Sequence, residues 1–122
     1  MGVIIVMVLP NYTYKAKITN VVDGDTIDAD IDVGFRVKMN HRLRLNSVNT
    51  CELHSAVAEE RAKAVEAKEF VINALLGKDV VITTLKSDAF GRYLAEVYYM
   101  KGSVQMCIND ELLDSGLAVL FK

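Results

Sequence analysis

The residues best suited to binding or catalysis in this sequence lie in VVDGDTIDADID, residues 21–32, which contains five aspartates. Carboxylates at this density repel one another, so we expect some to face a cation and others to face water. Asp23 and Asp25 flank Gly24, and a tight turn by itself explains that pattern. This stretch alone leaves two interpretations open: a plain turn, or a turn that offers carboxylates to a metal.

Two other stretches carry groups suited to a common chemistry. RLRLNSVNTCE brings Arg44 to the end of an alternating run, and Asn49, Thr50 and Glu52 follow in a polar segment. FGRYLAEVY places Arg92 directly after a glycine. Attack on a phosphodiester requires a base for water, a hard cation on a phosphate oxygen, and donors for the charge that develops at phosphorus. Two guanidiniums, a carboxylate and oxygen ligands near the DGD turn are the parts for that reaction.

An EF-hand calcium loop is the obvious alternative, because acids recur at every second position. Counting from Asp23 places Ile27 where the fifth-position oxygen ligand belongs. Counting from Asp28 places Val33 at the obligatory glycine and Met39 at the terminal glutamate. Both registers lack required ligands, so the EF-hand is excluded.

Strict alternation predicts a half-buried strand over residues 26–33. On one face of this predicted strand all four residues are apolar: Ile27, Ala29, Ile31 and Val33. The opposite parity holds three acids: Asp28, Asp30 and Asp32. We expect these acids to be solvated, or paired across a hairpin with the cations Lys38, Arg42 or Arg44, each surface pair contributing about 0.2–1 kcal/mol.

Further strands are predicted on both sides of this one. One covers residues 13–22. Another covers residues 36–45 and alternates, and five of its residues share the inner parity: Val37, Met39, His41, Leu43 and Leu45. Residues 46–54 form a predicted polar loop. Later strands begin at Asp79, at Arg92 and at Ser103, and LAVLF closes the chain.

A long helix is predicted between the third and fourth of these strands. Ser55 is its predicted N-cap, and Leu76 followed by the C′ glycine Gly77 its end. The predicted apolar stripe consists of Val57, Ala64, Val71 and Leu75. With a short helix ending at Gly116, the pattern predicts an α+β protein, a five-stranded OB-fold-like barrel that carries helices.

Length and charge bound the possibilities further. The 122 residues suit a single domain, 1–122, and the formal net charge of −2 argues against a basic arm. Any nucleic acid partner must therefore be met by a few placed arginines or by a metal. The apolar residues 1–11 lack a basic n-region and are too short to span a bilayer, so they predict a disordered leader or an extra strand.

Four short segments of the sequence, taken in order, resemble motifs of the staphylococcal nuclease (thermonuclease) family. They are VVDGDT, RLNSVNTCE, FGRYLAEVY and DELLDSGLA, with a predicted helix between the second and third, and they run from about Tyr14 to Ala118. One block would be a weak match, whereas four in order are specific. The resemblance implies an OB-type barrel, in a short member that stops at Lys122 before the family's C-terminal helix.

The resemblance also implies roles for individual residues. Asp25 corresponds to the aspartate that binds Ca²⁺ directly, and Asp23 to one that supports the site through water. Asn49 stands where a second metal aspartate is usual, and Thr50 where a backbone carbonyl is a ligand. Glu52 is implied as the general base.

Arginines and aromatic residues complete the implied site. Arg44 corresponds to the arginine that bridges the metal-bound phosphate, and Arg92 to the one near the leaving group. Phe90 stands where a tyrosine holds the terminal phosphate in the best-known members, and an exposed Tyr93 would stack on a base. Phe90 and Tyr93 are therefore predicted substrate contacts.

Two departures from the family pattern affect the site. Asn49 offers a neutral oxygen in place of a charged one, so Ca²⁺ is expected to bind more weakly. Cys51 replaces a proline that rigidifies the loop, and we interpret it as a small packed side chain.

The resulting prediction is a Ca²⁺-dependent nuclease with one weakly bound ion. It would hydrolyse single- or double-stranded DNA or RNA with little sequence preference and leave 3′-phosphate ends. The alternative is a non-catalytic OB-fold module that binds nucleic acid or protein. We expect a monomer without a membrane partner, intracellular or phage-encoded, with secretion left open.

Overall fold

The computed structural model describes residues 12–121, apart from the side chain of Lys86. Eight strands and two helices follow one another along this part of the chain: β1 (Thr13–Asp23), β2 (Thr26–Asp32), β3 (Lys38–Leu45), β4 (Val48–Thr50), α1 (Ala58–Leu75), β5 (Asp79–Ser87), β6 (Tyr93–Lys101), β7 (Val104–Cys107), α2 (Ile108–Asp114) and β8 (Ala118–Leu120). The predicted leader, residues 1–11, lies outside the described residues.

Five of the strands close into a barrel. β1 pairs antiparallel with β2 and with β5, β2 with β3, and β5 with β6. Parallel pairing of β3 with β6, with Arg44 opposite Leu94, closes the ring. The predicted OB-fold-like barrel with two helices is confirmed, and α1 lies between the third and fourth barrel strands as expected.

The alternation in β2 correctly predicts which residues face the core. Ile27, Ala29 and Ile31 are buried, because successive side chains of a strand point to opposite faces. Val33 was predicted on the same side but is 37% exposed. It lies beyond the end of β2 at Asp32, where the β2–β3 hairpin leaves the barrel and the core no longer covers it.

The outer face of this hairpin pairs only in part as predicted. Arg42 Nε lies 2.8 Å from Asp28 Oδ1, and Asn40 donates to Asp30 at 2.9 Å. Arg44 does not join this row, because its side chain turns to Asp25. On the inner parity, Leu43 and Leu45 are buried while two other predicted core residues, Val37 and Met39, are exposed.

The helix α1 covers one side of the barrel with four buried residues: Ala64, Ala67, Val71 and Leu75. The predicted N-cap at Ser55 is wrong, since the helix begins at Ala58 after Val57. Ser55 Oγ instead accepts the Val57 N–H at 3.1 Å. Val57 was predicted to belong to the apolar stripe, but it precedes the helix and is 51% exposed. Gly77 ends the helix at φ +74° as expected.

The predicted polar loop 46–54 contains a strand. Residues Val48–Thr50 form β4, which pairs antiparallel with β8. A three-residue strand is too short to show alternation, and its partner lies far along the chain. This small sheet fixes the backbone that carries Asn49 and Thr50.

The buried side chain of Asn109 joins α2 to the barrel. Its Oδ1 accepts the Val97 N–H at 3.1 Å, and its Nδ2 donates to the carbonyls of Asn46 and Ala95, both at 3.0 Å. Asn46 follows β3 directly, so this contact holds the start of the segment that carries the candidate site residues. Within residues 12–121, no helix has the length and apolarity needed to cross a membrane.

Candidate functional site

The candidate site is built on the turn between β1 and β2. Gly24 is buried there, and a Cβ on it would lie 2.8 Å from Ala67 Cβ and 2.9 Å from Thr50 Cγ2. Glycine is therefore required for the close approach of α1 and β4 to the turn. The backbone N–H of Asp25 donates to Asp23 Oδ1 at 3.0 Å, which fixes the turn from within.

The carboxylate of Asp25 is held on both oxygens. Oδ1 accepts the hydroxyl of Thr26 at 3.1 Å. Oδ2 accepts the backbone N–H of Thr50 at 3.2 Å and lies 3.1 Å from Arg44 Nη1. Asp25 is only 8% exposed, and these contacts compensate the loss of water around its charge.

Arg44 joins three parts of the chain at this point. Its Nη2 donates to Asn49 Oδ1 at 3.2 Å while its Nη1 faces Asp25. Its guanidinium carbon lies 5.8 Å from the centre of the Phe121 ring, within the range of a cation–π contact. The sequence did not predict this contact of Phe121, which is identified there only as part of the apolar stretch LAVLF.

Asp23 and Asp25 differ in their proton affinity. Burial, followed by the hydrogen bond and the charge of neighbouring Asp25, raises the pKa of Asp23 to about 6. Burial also acts to raise the pKa of Asp25, but its hydrogen bonds and the charge of Arg44 outweigh it and lower that pKa. Asp25 therefore keeps its negative charge to lower pH than Asp23 does.

Glu52 lies in the loop after β4 and lines the same cleft as Asp25 and Arg44. Its side chain is exposed. Among the side chains that the structure describes, none makes a hydrogen bond or ion pair with this carboxylate. A free carboxylate facing a cleft is available to accept a proton from water.

Arg92 lines the same cleft and is held by Asp88. Its Nε donates to Asp88 Oδ2 at 2.9 Å, and its Nη2 lies 2.8 Å from the same oxygen. The guanidinium carbon lies 5.4 Å from the centre of the Phe90 ring. The sequence carries no signal for this role of Asp88, because spacing of four residues predicts an ion pair only on a helix and Asp88 lies in the turn between β5 and β6.

One cleft of about 700 Å³ brings most of the predicted site residues together. It is lined by Asp23, Asp25, Arg44, Asn49, Thr50, Glu52, Phe90 and Arg92, and also by His54, Asp88 and Phe121. Tyr93 is not among the residues that line it. That ring packs edge-on against His41, with centroids 5.9 Å apart, in a neighbouring apolar hollow.

The residues predicted to hold Ca²⁺ supply the oxygen donors that this ion prefers. Asp25 and Asn49 direct side-chain oxygens to the same guanidinium, and Thr50 is joined to Asp25 by its N–H. Asp25 alone of the three carries a charge. In residues 12–121, no three His, Cys, Asp or Glu side chains form a metal cluster. The donor set therefore fits a hard cation by type, with little formal charge.

Comparisons with known proteins agree with this architecture. The family model described as staphylococcal nuclease homologue matches residues 42–122. An uncharacterized protein of Methanocaldococcus jannaschii is 27% identical over an alignment of 128 positions, which includes 88% of this chain and 59% of the relative. Endonuclease Htp3 of Saprolegnia parasitica is 28% identical over 120 residues, which cover 90% of this chain and 57% of the relative.

A third relative covers less of both chains. Probable endonuclease LCL3 of Phaeosphaeria nodorum is 30% identical over 80 residues, 66% of this chain and 27% of the relative. This chain thus spans at most 59% of the length of these three relatives. Since the family model covers more than half of the sequence, the resemblance is confirmed, and the chain belongs to the staphylococcal nuclease homologue family.

Proposed function

We propose that this protein is a Ca²⁺-dependent nuclease that hydrolyses phosphodiester bonds of DNA or RNA with little sequence preference. Nuclease activity is supported at the level of the family, and two relatives are named endonucleases. The observation that carries the proposal is the cleft itself, where Arg44, Glu52 and Arg92 converge from three separate segments. No local feature of the chain requires that convergence, whereas phosphoryl transfer does.

Each of these residues has a distinct part in the proposed reaction. Glu52 accepts a proton from water, and the resulting nucleophile attacks phosphorus. The bond from phosphorus to the 5′-oxygen breaks, so the products are a 3′-phosphate and, once that oxygen takes up a proton, a 5′-hydroxyl. Arg44 and Arg92 donate to the phosphate oxygens, on which negative charge increases in the transition state.

The metal would be held by Asp25, Asn49 and the carbonyl of Thr50, with Asp23 supporting the turn. A bound Ca²⁺ supplies Lewis acid stabilisation of a phosphate oxygen. Phe90 lines the cleft and is 83% exposed, which supports a contact of its ring with the sugar or base of the substrate.

A nuclease assay with and without chelator tests this proposal. Single-stranded DNA and RNA should be degraded with Ca²⁺ and spared when it is chelated. Glu52→Gln and Arg92→Ala should each lower the rate by about two to four orders of magnitude while the fold survives. Activity equal to that of the wild-type protein in these variants, with an unchanged circular dichroism spectrum, would contradict the assigned roles.

A specific observation also supports the second candidate, an OB-fold module that binds nucleic acid without cleaving it. Arg44 already neutralises Asp25, and Asn49 adds no charge, so the metal site is weak on electrostatic grounds. Binding that persists in every divalent metal without cleavage would favour this module. Retention of Arg44, Glu52 and Arg92 in one cleft favours the enzyme.

A further inference from the structure

The guanidinium of Arg44 bridges the two side chains assigned to the metal. Nη1 lies 3.1 Å from Asp25 Oδ2, and Nη2 donates to Asn49 Oδ1 at 3.2 Å. A cation that used both of these oxygens would meet the positive charge of Arg44 at the same place. The two oxygens assigned to the metal are therefore already engaged by Arg44.

The lone pairs of Asp25 leave little room for two cations. An ionised carboxylate offers about four acceptor sites. Thr26 and the backbone N–H of Thr50 take one each, and the Arg44 guanidinium faces the carboxylate as an ion pair, with Nη1 3.1 Å from Oδ2. The side chains of Arg44 and Asp25 are only 12% and 11% exposed, so solvent screens this pair less than a surface pair.

We propose that Arg44 competes with Ca²⁺ for Asp25 and Asn49, and that a phosphodiester relieves this competition by drawing the guanidinium to its own oxygens. The inference rests on the ligand set and the Arg44 contact of the proposed function. It predicts that Ca²⁺ and nucleic acid bind with positive coupling, because each favours the position of Arg44 that the other needs. Such coupling is reciprocal by thermodynamic necessity.

Calorimetric titration with Ca²⁺, in the absence of nucleic acid, tests the competition. Arg44→Met keeps the apolar stem and removes the charge, and should raise Ca²⁺ affinity about tenfold. Arg92→Met is the matched control, since Arg92 lines the same cleft but directs its guanidinium to Asp88 and not to Asp25 or Asn49. Its Ca²⁺ affinity should stay within about twofold of wild type.

Either of two results from this titration would overturn the inference. One is an unchanged or weaker Ca²⁺ affinity in Arg44→Met. The other is an equal gain in both variants, which would show a general effect of charge in the cleft.

A phosphorothioate-linked oligodeoxynucleotide, used as a cleavage-resistant probe, tests the coupling. Its presence should raise the Ca²⁺ affinity of the wild-type protein about tenfold and leave that of Arg44→Met within about twofold. An equal rise in both proteins would mean that coupling does not depend on Arg44, and would overturn the inference.

A measurement on the wild-type protein covers the case in which Arg44→Met does not fold. The Nε–H nuclear magnetic resonance signal of Arg44 should shift on addition of Ca²⁺ alone, while that of Arg92 should not. An unmoved Arg44 signal at saturating Ca²⁺, or no detectable Ca²⁺ binding at all, would overturn the inference. If these binding effects appear without any cleavage, the nuclease proposal fails and the competition still stands.

Discussion

Asp88 holds Arg92 through both oxygens of its carboxylate. Oδ1 accepts the backbone N–H of Arg92 at 2.9 Å, and Oδ2 accepts its Nε at 2.9 Å. Burial acts to raise the pKa of Asp88, but the N–H groups of Arg92 and Phe90 and then the guanidinium outweigh it and lower that pKa. An ionised Asp88 therefore fixes both the loop and the arginine that it presents to the cleft.

Asp88→Asn should lower kcat/KM for nucleic acid cleavage about tenfold, because the amide turns donors toward the guanidinium and releases it. The melting temperature should change little, since a single ion pair near the surface adds little to stability. Asp30→Asn is the control, because Asp30 lies on the outer face of β2 and pairs with Asn40. Equal loss of activity in both variants would argue against positioning by Asp88.

Asn49→Asp should strengthen metal binding and lower the Ca²⁺ concentration for half activity about tenfold. The added carboxylate attracts the doubly charged ion more strongly than the singly charged Arg44. Initial rates across a Ca²⁺ titration measure the change. Asn49→Ala, which removes the oxygen, should raise the Ca²⁺ concentration for half activity. If that concentration is unchanged in both variants, the metal role of this position is refuted.

Gly24→Ala should destabilise the fold by about 1–3 kcal/mol through crowding against Ala67 and Thr50. Urea unfolding of the variant measures this loss. Thr50→Ser in the same background deletes the methyl 2.9 Å from the new Cβ and should recover part of it. No recovery would mean that the contact with α1, or the turn itself, carries the cost.

Asn109→Ala should lower the free energy of unfolding by about 2–4 kcal/mol. The change removes the acceptor of the Val97 N–H and the donor to the carbonyls of Asn46 and Ala95, of which the Ala95 carbonyl keeps the Asn46 N–H. Asn20→Ala is a suitable control because its 3.3 Å contact with Asp28 is exposed. Denaturant unfolding of both variants provides the comparison. Similar small losses would show that water replaces the Asn109 contacts.

Asp23→Asn should stabilise the metal-free protein at pH 7.5 and have little effect near pH 4. With its pKa raised from 3.8 to about 6 in the folded protein, Asp23 binds more protons folded than unfolded between those values. Its contribution to stability therefore falls as pH rises through that window and stays reduced above it. The gain at pH 7.5 is about 1 kcal/mol, because solvent screens this half-buried carboxyl.

Unfolding in the presence of chelator, at several pH values, measures this difference. The pKa of Asp25 is shifted the other way, so its contribution is lost below about pH 4 and does not mask the effect. A difference between the two proteins that is independent of pH would contradict the assigned protonation of Asp23.

The sequence by itself determined the elements whose patterns are local. The alternation of Ile27, Ala29 and Ile31 correctly predicts the buried face of β2, and Gly77 correctly predicts the end of α1. These succeed because strand period and helix termination depend on neighbouring residues. The order of the motifs around Asp25, Arg44 and Arg92 likewise indicated the family before any contact was known.

Only the tertiary structure decided which partner each charge takes. Arg44 belongs by parity to the row that faces the acids of β2, yet it pairs with Asp25, because the β2–β3 register places it opposite Thr26, next to Asp25 in the chain. Likewise β4 forms only because β8 lies beside it. Periodicity along a chain indicates which residues are exposed, whereas the distance between remote segments depends on packing. The contact of Arg44 with Asn49 could therefore be seen only in the folded protein.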